Sequence, residues 1–117
     1  EPMRRRFRAW LRAKYAGDAE LQTAWRDSAI TLDLAEVPAN AELIGTTHLS
    51  FRDPAAERKA VDYQQCLAEL VAERLIEQCR HVKQLTGGDK LAGAFYGYIL
   101  DQAWNDAYFG GPVDGSY

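Results

Sequence analysis

The residues with the chemistry to act on a substrate crowd the C-terminal third of the chain. Asp101, Asp106 and Asp114 bring carboxylates. Tyr96, Tyr98, Trp104 and Tyr108 bring aromatic faces, and Asn105 brings an amide. Two carboxyl groups about 5 Å apart, one with a raised pKa, are what retaining glycoside cleavage requires. Aromatic faces beside carboxylate and amide acceptors also suit a pyranose, which has apolar C–H faces and a hydroxyl rim. The three aspartates are therefore the candidate catalytic groups, and Tyr96, Tyr98, Trp104, Asn105 and Tyr108 the candidate substrate contacts. The plainer account of the same aspartates is turn formation and capping in a polar loop.

Other reactive side chains are more isolated. Glu77 and His81 stand four apart on one helical face, the spacing of an ordinary surface pair. No Cys/His cluster completes a coordination sphere around them, so no metal is expected. His48 has no neighbour in sequence that defines a role. Cys66 and Cys79 lack an adjacent base. Thirteen residues of helix would hold them about 20 Å apart, beyond the reach of a disulfide. Gly87-Gly88-Asp89-Lys90 follows a helical pattern rather than preceding one, so it is no phosphate loop. No motif calls for a cofactor. The run Arg4, Arg5, Arg6, Arg8 would suit phosphates, but such runs more often form the solvated face of an amphipathic helix.

Helices carry the arginine run, the cysteines and the Glu77/His81 pair. Glu1-Pro2 reads as a cap followed by proline at the first helical position, and Met3, Phe7, Trp10, Leu11 and Tyr15 then recur at helical spacing over 2–16. Gly17 reads as the stop, and Asp18 as the cap of a second helix over 18–28. Residues 29–52 hold no period. Asp53-Pro54 opens a long helix over 54–86, with Ala60, Tyr63, Leu67, Leu70, Val71, Leu75, Cys79 and Val82 on one stripe and Gly87-Gly88 at its end. Its length suggests a kink or break near the start. Residues 90–100 centre on LAGAFYGYIL, a continuous apolar run that reads as a strand buried on both faces. A lone apolar strand has two open edges, so self-association is expected.

Composition sets outer bounds. At 117 residues, 47% hydrophobic and 26% charged, the chain suits one globular domain. A net charge of −3 argues against nucleic acid as the partner. No apolar run approaches the roughly 20 residues of a membrane span. The lack of an apolar leader segment and two free thiols point to a cytoplasmic setting.

Four stretches resemble a known group. Phe7-Arg-Ala-Trp-Leu-Arg-Ala-Lys-Tyr15 and Leu21-Gln-Thr-Ala-Trp25 are similar to the F-x-x-W-L-x-x-x-Y and L-x-x-A-W stretch of β-galactosidase-like glycoside hydrolases of family 42 and their relatives. Asp62-Tyr63 and Lys90-Leu-Ala-Gly-Ala-Phe-Tyr-Gly-Tyr98 fit the same frame. The resemblance covers about the first 100 residues. It implies a helix-rich α/β segment of a (β/α)8 barrel, running from after strand four through strand five, with residues 1–117 as one partial barrel domain. It also implies a carbohydrate ligand. The group's acid/base and nucleophile glutamates fall before Glu1 and after Tyr117, so the resemblance assigns no catalytic residue here. The alternatives are a non-catalytic interaction module forming a homodimer and, against the acidic balance, nucleic-acid binding through the Arg-rich first helix.

Overall fold

The computed structural model describes residues 2–45 and 52–94. Among them 62% are helical and none is in a strand. This overturns the expected α/β barrel segment. Residues 91–94, the start of the expected strand, are irregular. A strand exists only with a neighbour to share its ladder, and no described segment supplies one. Residues 95–100, the rest of that expected strand, lie outside the described residues.

Among the described residues there are four helices: α1 (Pro2–Lys14), α2 (Asp18–Trp25), α3 (Asn40–Ile44) and α4 (Arg58–Leu85). The chain divides into two units, one holding residues up to Cys66 and the other beginning at Leu67.

In the first unit, α1 buries Phe7 and Leu11 one turn apart, and Tyr15 continues that stripe one turn on. Tyr15 N–H still reaches the Leu11 carbonyl at 2.9 Å. Gly17 then has φ 177°, an extended conformation, and stands at the start of α2 instead of closing α1 in a left-handed turn. α2 ends at Trp25, because Arg26 takes the left-handed conformation at φ 55° with its N–H on the Gln22 carbonyl. Inside the expected irregular stretch lies α3, whose first turn is tied by Glu42 Oε2 accepting from Ala39 N–H at 2.7 Å. Asp53 caps a turn over 54–56 through Ala55 N–H at 2.8 Å, and α4 proper starts at Arg58. The core is Phe7, Leu11, Tyr15, Leu21, Ala35, Ala60, Tyr63 and Cys66. Trp10 and Trp25 beside them are half-buried.

In the second unit, α4 continues through Leu85 and closes on a double-glycine turn. Gly87 and Gly88 have φ 59° and 90°, angles that side chains other than glycine's rarely allow. Gly88 N–H bonds the Lys83 carbonyl at 2.9 Å and Gly87 N–H the Gln84 carbonyl at 3.5 Å. That is the crossed pair of a Schellman stop. Leu67 and Leu70, on the apolar stripe of this helix, are only half-buried here.

Candidate functional site

The most organised polar chemistry among the described residues centres on Asp62. It lies on the first turns of α4, fully buried beside the core. An unpaired carboxylate in that position would be prohibitively costly, and four donors meet it. Lys14 Nζ reaches Oδ1 at 2.9 Å and Arg58 Nε the same oxygen at 3.0 Å. Tyr15 donates its hydroxyl to Oδ2 at 2.5 Å, and Trp25 donates Nε1–H to Oδ2 at 2.8 Å.

Each donor is placed by its own element. Lys14 ends α1 and Tyr15 directly follows it, Trp25 comes from the last turn of α2, and Arg58 from one turn before Asp62 on α4. Aromatic packing fixes the frame. Phe7 stacks on Trp10 and Trp25 at centroid distances of 6.3 and 6.2 Å and meets Tyr63 edge-on at 5.2 Å. Lys14 Nζ also sits 4.5 Å from the Trp10 ring centre and donates to Gln65 Oε1 at 2.9 Å.

This arrangement has a definite electrostatic character. Burial pushes the Tyr15 pKa up, and its hydrogen bond to Asp62 pushes the same way, against the opposing pull of Arg58. Tyr15 therefore stays a neutral donor. Its oxygen in turn accepts from Arg58 Nε at 3.3 Å, and that bond, ahead of the opposing effect of burial, raises the Arg58 pKa. Three hydrogen bonds and the Arg58 ion pair meet the two carboxylate oxygens. Asp62 is thus an anion already satisfied by protein, out of contact with solvent. Its geometry suits holding three helices together and does not suit proton transfer to a ligand.

A second polar cluster lies in the same unit. The Arg52 guanidinium donates to the carbonyls of Glu42, Leu43 and Gly45 at the end of α3, and to Glu57 Oε1 at 3.1 Å. Lys59 Nζ holds both oxygens of Glu42 at 2.8 and 3.0 Å. Burial alone would raise the Glu42 pKa, but the Lys59 and Ala39 hydrogen bonds outweigh it and the net shift is downward. Trp25, Asp27, Glu42, Glu57 and Lys59 border an open cleft of about 400 Å³ here.

The candidate substrate contacts Tyr96, Tyr98, Trp104, Asn105 and Tyr108, the candidate carboxylates Asp101, Asp106 and Asp114, and His48 all lie outside the described residues. Glu77 pairs with Arg74 at 2.7 Å, and no group of ligating side chains that would hold a metal occurs among the described residues. Cys66 and Cys79 are free thiols. Three arginines of α1 meet acids of the segment between α2 and α3. Arg4 and Arg8 each reach Glu36 at 2.7 Å, and Arg12 pairs with Asp33. No helix among the described residues is long and apolar enough to cross a membrane.

Sequence reasoning did not find the Asp62 cluster. The one signal was the pair Asp62-Tyr63 inside the long helical stripe, where an acid breaks an otherwise apolar face between Ala60, Tyr63 and Cys66. No protein-family model, no curated protein and no solved structure matches this chain.

Proposed function

We propose that this chain is a non-catalytic scaffold segment of a glycoside-hydrolase-like, carbohydrate-active protein. One observation carries the reading. Of the residues through which the chain resembles that group, Phe7, Leu11, Tyr15, Leu21, Trp25, Asp62 and Tyr63 build the buried aromatic cluster and its carboxylate clasp. The shared pattern is then a packing signature. It specifies how α1, α2 and the start of α4 hold together, and it brings no acid/base pair with it. The saturated coordination of Asp62 supports the same division of labour. Sugar contact, on this reading, belongs to the Tyr96–Tyr108 stretch with its aromatics and Asp101 and Asp106, and the setting is cytoplasmic, which suits two free thiols.

The test has two arms. The 117-residue chain is assayed on aryl galactosides and glucosides and titrated with the free sugars by tryptophan fluorescence, alongside Trp104→Ala and Asp106→Asn. No cleavage is expected, with weak binding near the millimolar level, about −4 kcal/mol, lost in both variants. The second arm assays the polypeptide encoded by the surrounding open frame, where cleavage is expected. Cleavage by the short chain would overturn the non-catalytic assignment. Absence of both sugar binding and cleavage in either polypeptide would overturn the carbohydrate assignment.

A further inference from the structure

Three arginines of α1 form a row. Arg4, Arg8 and Arg12 follow one another at steps of four on one face of the helix, about 6 Å per step. A single segment fills that row with acid. Glu36 reaches both Arg4 and Arg8 at 2.7 Å, and Asp33 pairs with Arg12, so the segment runs antiparallel to α1. Its backbone is anchored separately. Ala35 is buried, its carbonyl accepts from Arg8 Nε at 2.7 Å, and Leu32 N–H donates to Asp18 Oδ1 at 2.8 Å. The Asp33 and Glu36 side chains are 82% and 51% exposed, and ion pairs so open to water contribute little. Both carboxylates can swing out to solvent while the backbone stays in place.

The positive charge gathered here exceeds what those two acids offset. Residues 1–14 hold six bases and one acid, although the whole chain is at −3. The first turn of α1 carries Arg4 and Arg5 and no acid, at the end where the helix dipole is itself positive and cations are unfavourable. Arg5 is exposed and has no ion pair among the described residues. An anion laid along the row offsets this penalty. Tethered carboxylates hold their place through high local concentration, so a small free anion displaces them poorly. A ligand with several phosphates on one chain meets all three arginines together and has the same advantage of attachment. Guanidinium grips phosphate through paired hydrogen bonds, and nucleic-acid phosphates release condensed counterions when they are neutralised. A flexible single strand can follow a row that the 33–36 segment flanks. We propose that the Arg4–Arg8–Arg12 face of α1 binds the phosphate backbone of a single-stranded nucleic acid, with Asp33 and Glu36 as a built-in competitor that keeps this binding weak. The contacts are to phosphate and carry no base readout. This inference stands independently of the carbohydrate reading.

Fluorescence anisotropy of a labelled oligothymidylate at low salt tests it, with circular dichroism to show that each variant keeps its helical content. Asp33→Asn/Glu36→Gln should bind about tenfold more tightly than wild type, because apparent affinity scales with the fraction of molecules whose row is open. For three phosphate contacts on a single strand, log affinity in that variant should fall with log salt at a slope of about −2. Adding Arg4→Gln/Arg12→Gln to it should remove the binding. Glu69→Gln/Glu73→Gln makes the same change in net charge on α4 and should leave affinity within about twofold of wild type. An equal gain from that control would overturn the competitor role, since net charge alone would account for it. Binding that survives Arg4→Gln/Arg12→Gln, or no binding by any of these proteins, would overturn the site. Polyglutamate that competes as well as unlabelled oligothymidylate would overturn the assignment to phosphate.

Discussion

The two units use similar residues to opposite ends. Up to Cys66, the apolar positions of α1, α2 and α4 converge, and Phe7, Leu11, Leu21 and Cys66 have no exposure at all. From Leu67 onward the same helix carries Val71, Ile76 and Val82 at the same kind of spacing, and 39–48% of each is exposed. Hydrophobicity and period are alike in the two regions. What differs, among the described residues, is how much of each face other elements cover. Amphipathic spacing therefore defines a face that can be buried, while burial itself depends on topology.

Removing the clasp should give the largest effect. Asp62→Ala leaves Lys14, Arg58, Tyr15 and Trp25 facing one another without their anion. A loss of about 3–5 kcal/mol in urea unfolding is expected, as for a buried pair broken on one side. Asp62→Asn keeps the shape and should lose less. A loss below about 1 kcal/mol for Asp62→Ala would mean the four helix-end contacts contribute little to holding the first unit together.

Paired truncations sharpen the contrast between the units. Phe7→Ala removes the ring that three other aromatics touch and should cost about 3 kcal/mol or more. Leu85→Ala should change stability by no more than about 0.5 kcal/mol. Equal losses at the two sites would erase the distinction drawn between the two units.

Alkaline pH probes the first unit alone. The Tyr15 pKa is raised above the usual tyrosine value of 10.0, chiefly by burial and then by its bond to Asp62. The folded state thus favours the neutral phenol. That stabilisation is full below about pH 10 and is lost as pH climbs through the raised value. Tyr63 is shifted the same way, by burial and by the nearby Cys66. Stability measured from pH 8 to 11 should fall at the upper end. Tyr15→Phe should flatten part of that fall and cost about 1–2 kcal/mol at neutral pH, because Asp62 loses a donor. An unchanged profile in Tyr15→Phe would assign the alkaline loss to other groups.

Local signals were legible in the sequence. Pro2 and the Phe7–Leu11–Tyr15 spacing announced α1, and Gly87-Gly88 announced the end of α4, because caps and periods are written within a few residues. The clasp was not. Asp62 meets Lys14, Tyr15 and Trp25 across 37 to 48 residues, and nothing in a local window distinguishes an acid that will be buried from one on a solvated face. The pairing of α1 arginines with Asp33 and Glu36 was hidden for the same reason. The strand expected over 90–100 failed where it can be read, at 91–94: an apolar run describes what a segment would bury, and a ladder needs a neighbour that composition does not provide.

The span of the Asp62 contacts also bears on how the molecule reaches its native state. α1 and α2 are close in sequence and can meet early, but their last turns gain the anion only when α4 arrives across a connection of some thirty residues. Closing such a loop carries an entropic penalty before any long-range contact offsets it. Three donors from the first helices must therefore wait, hydrated, for a carboxylate from the fourth. Asp62 should be nearly silent in the folding rate and prominent in the unfolding rate, the pattern of a contact completed after the barrier. Its role would then be that of a latch: it governs how long the assembled first unit stays closed and has little part in how quickly it forms.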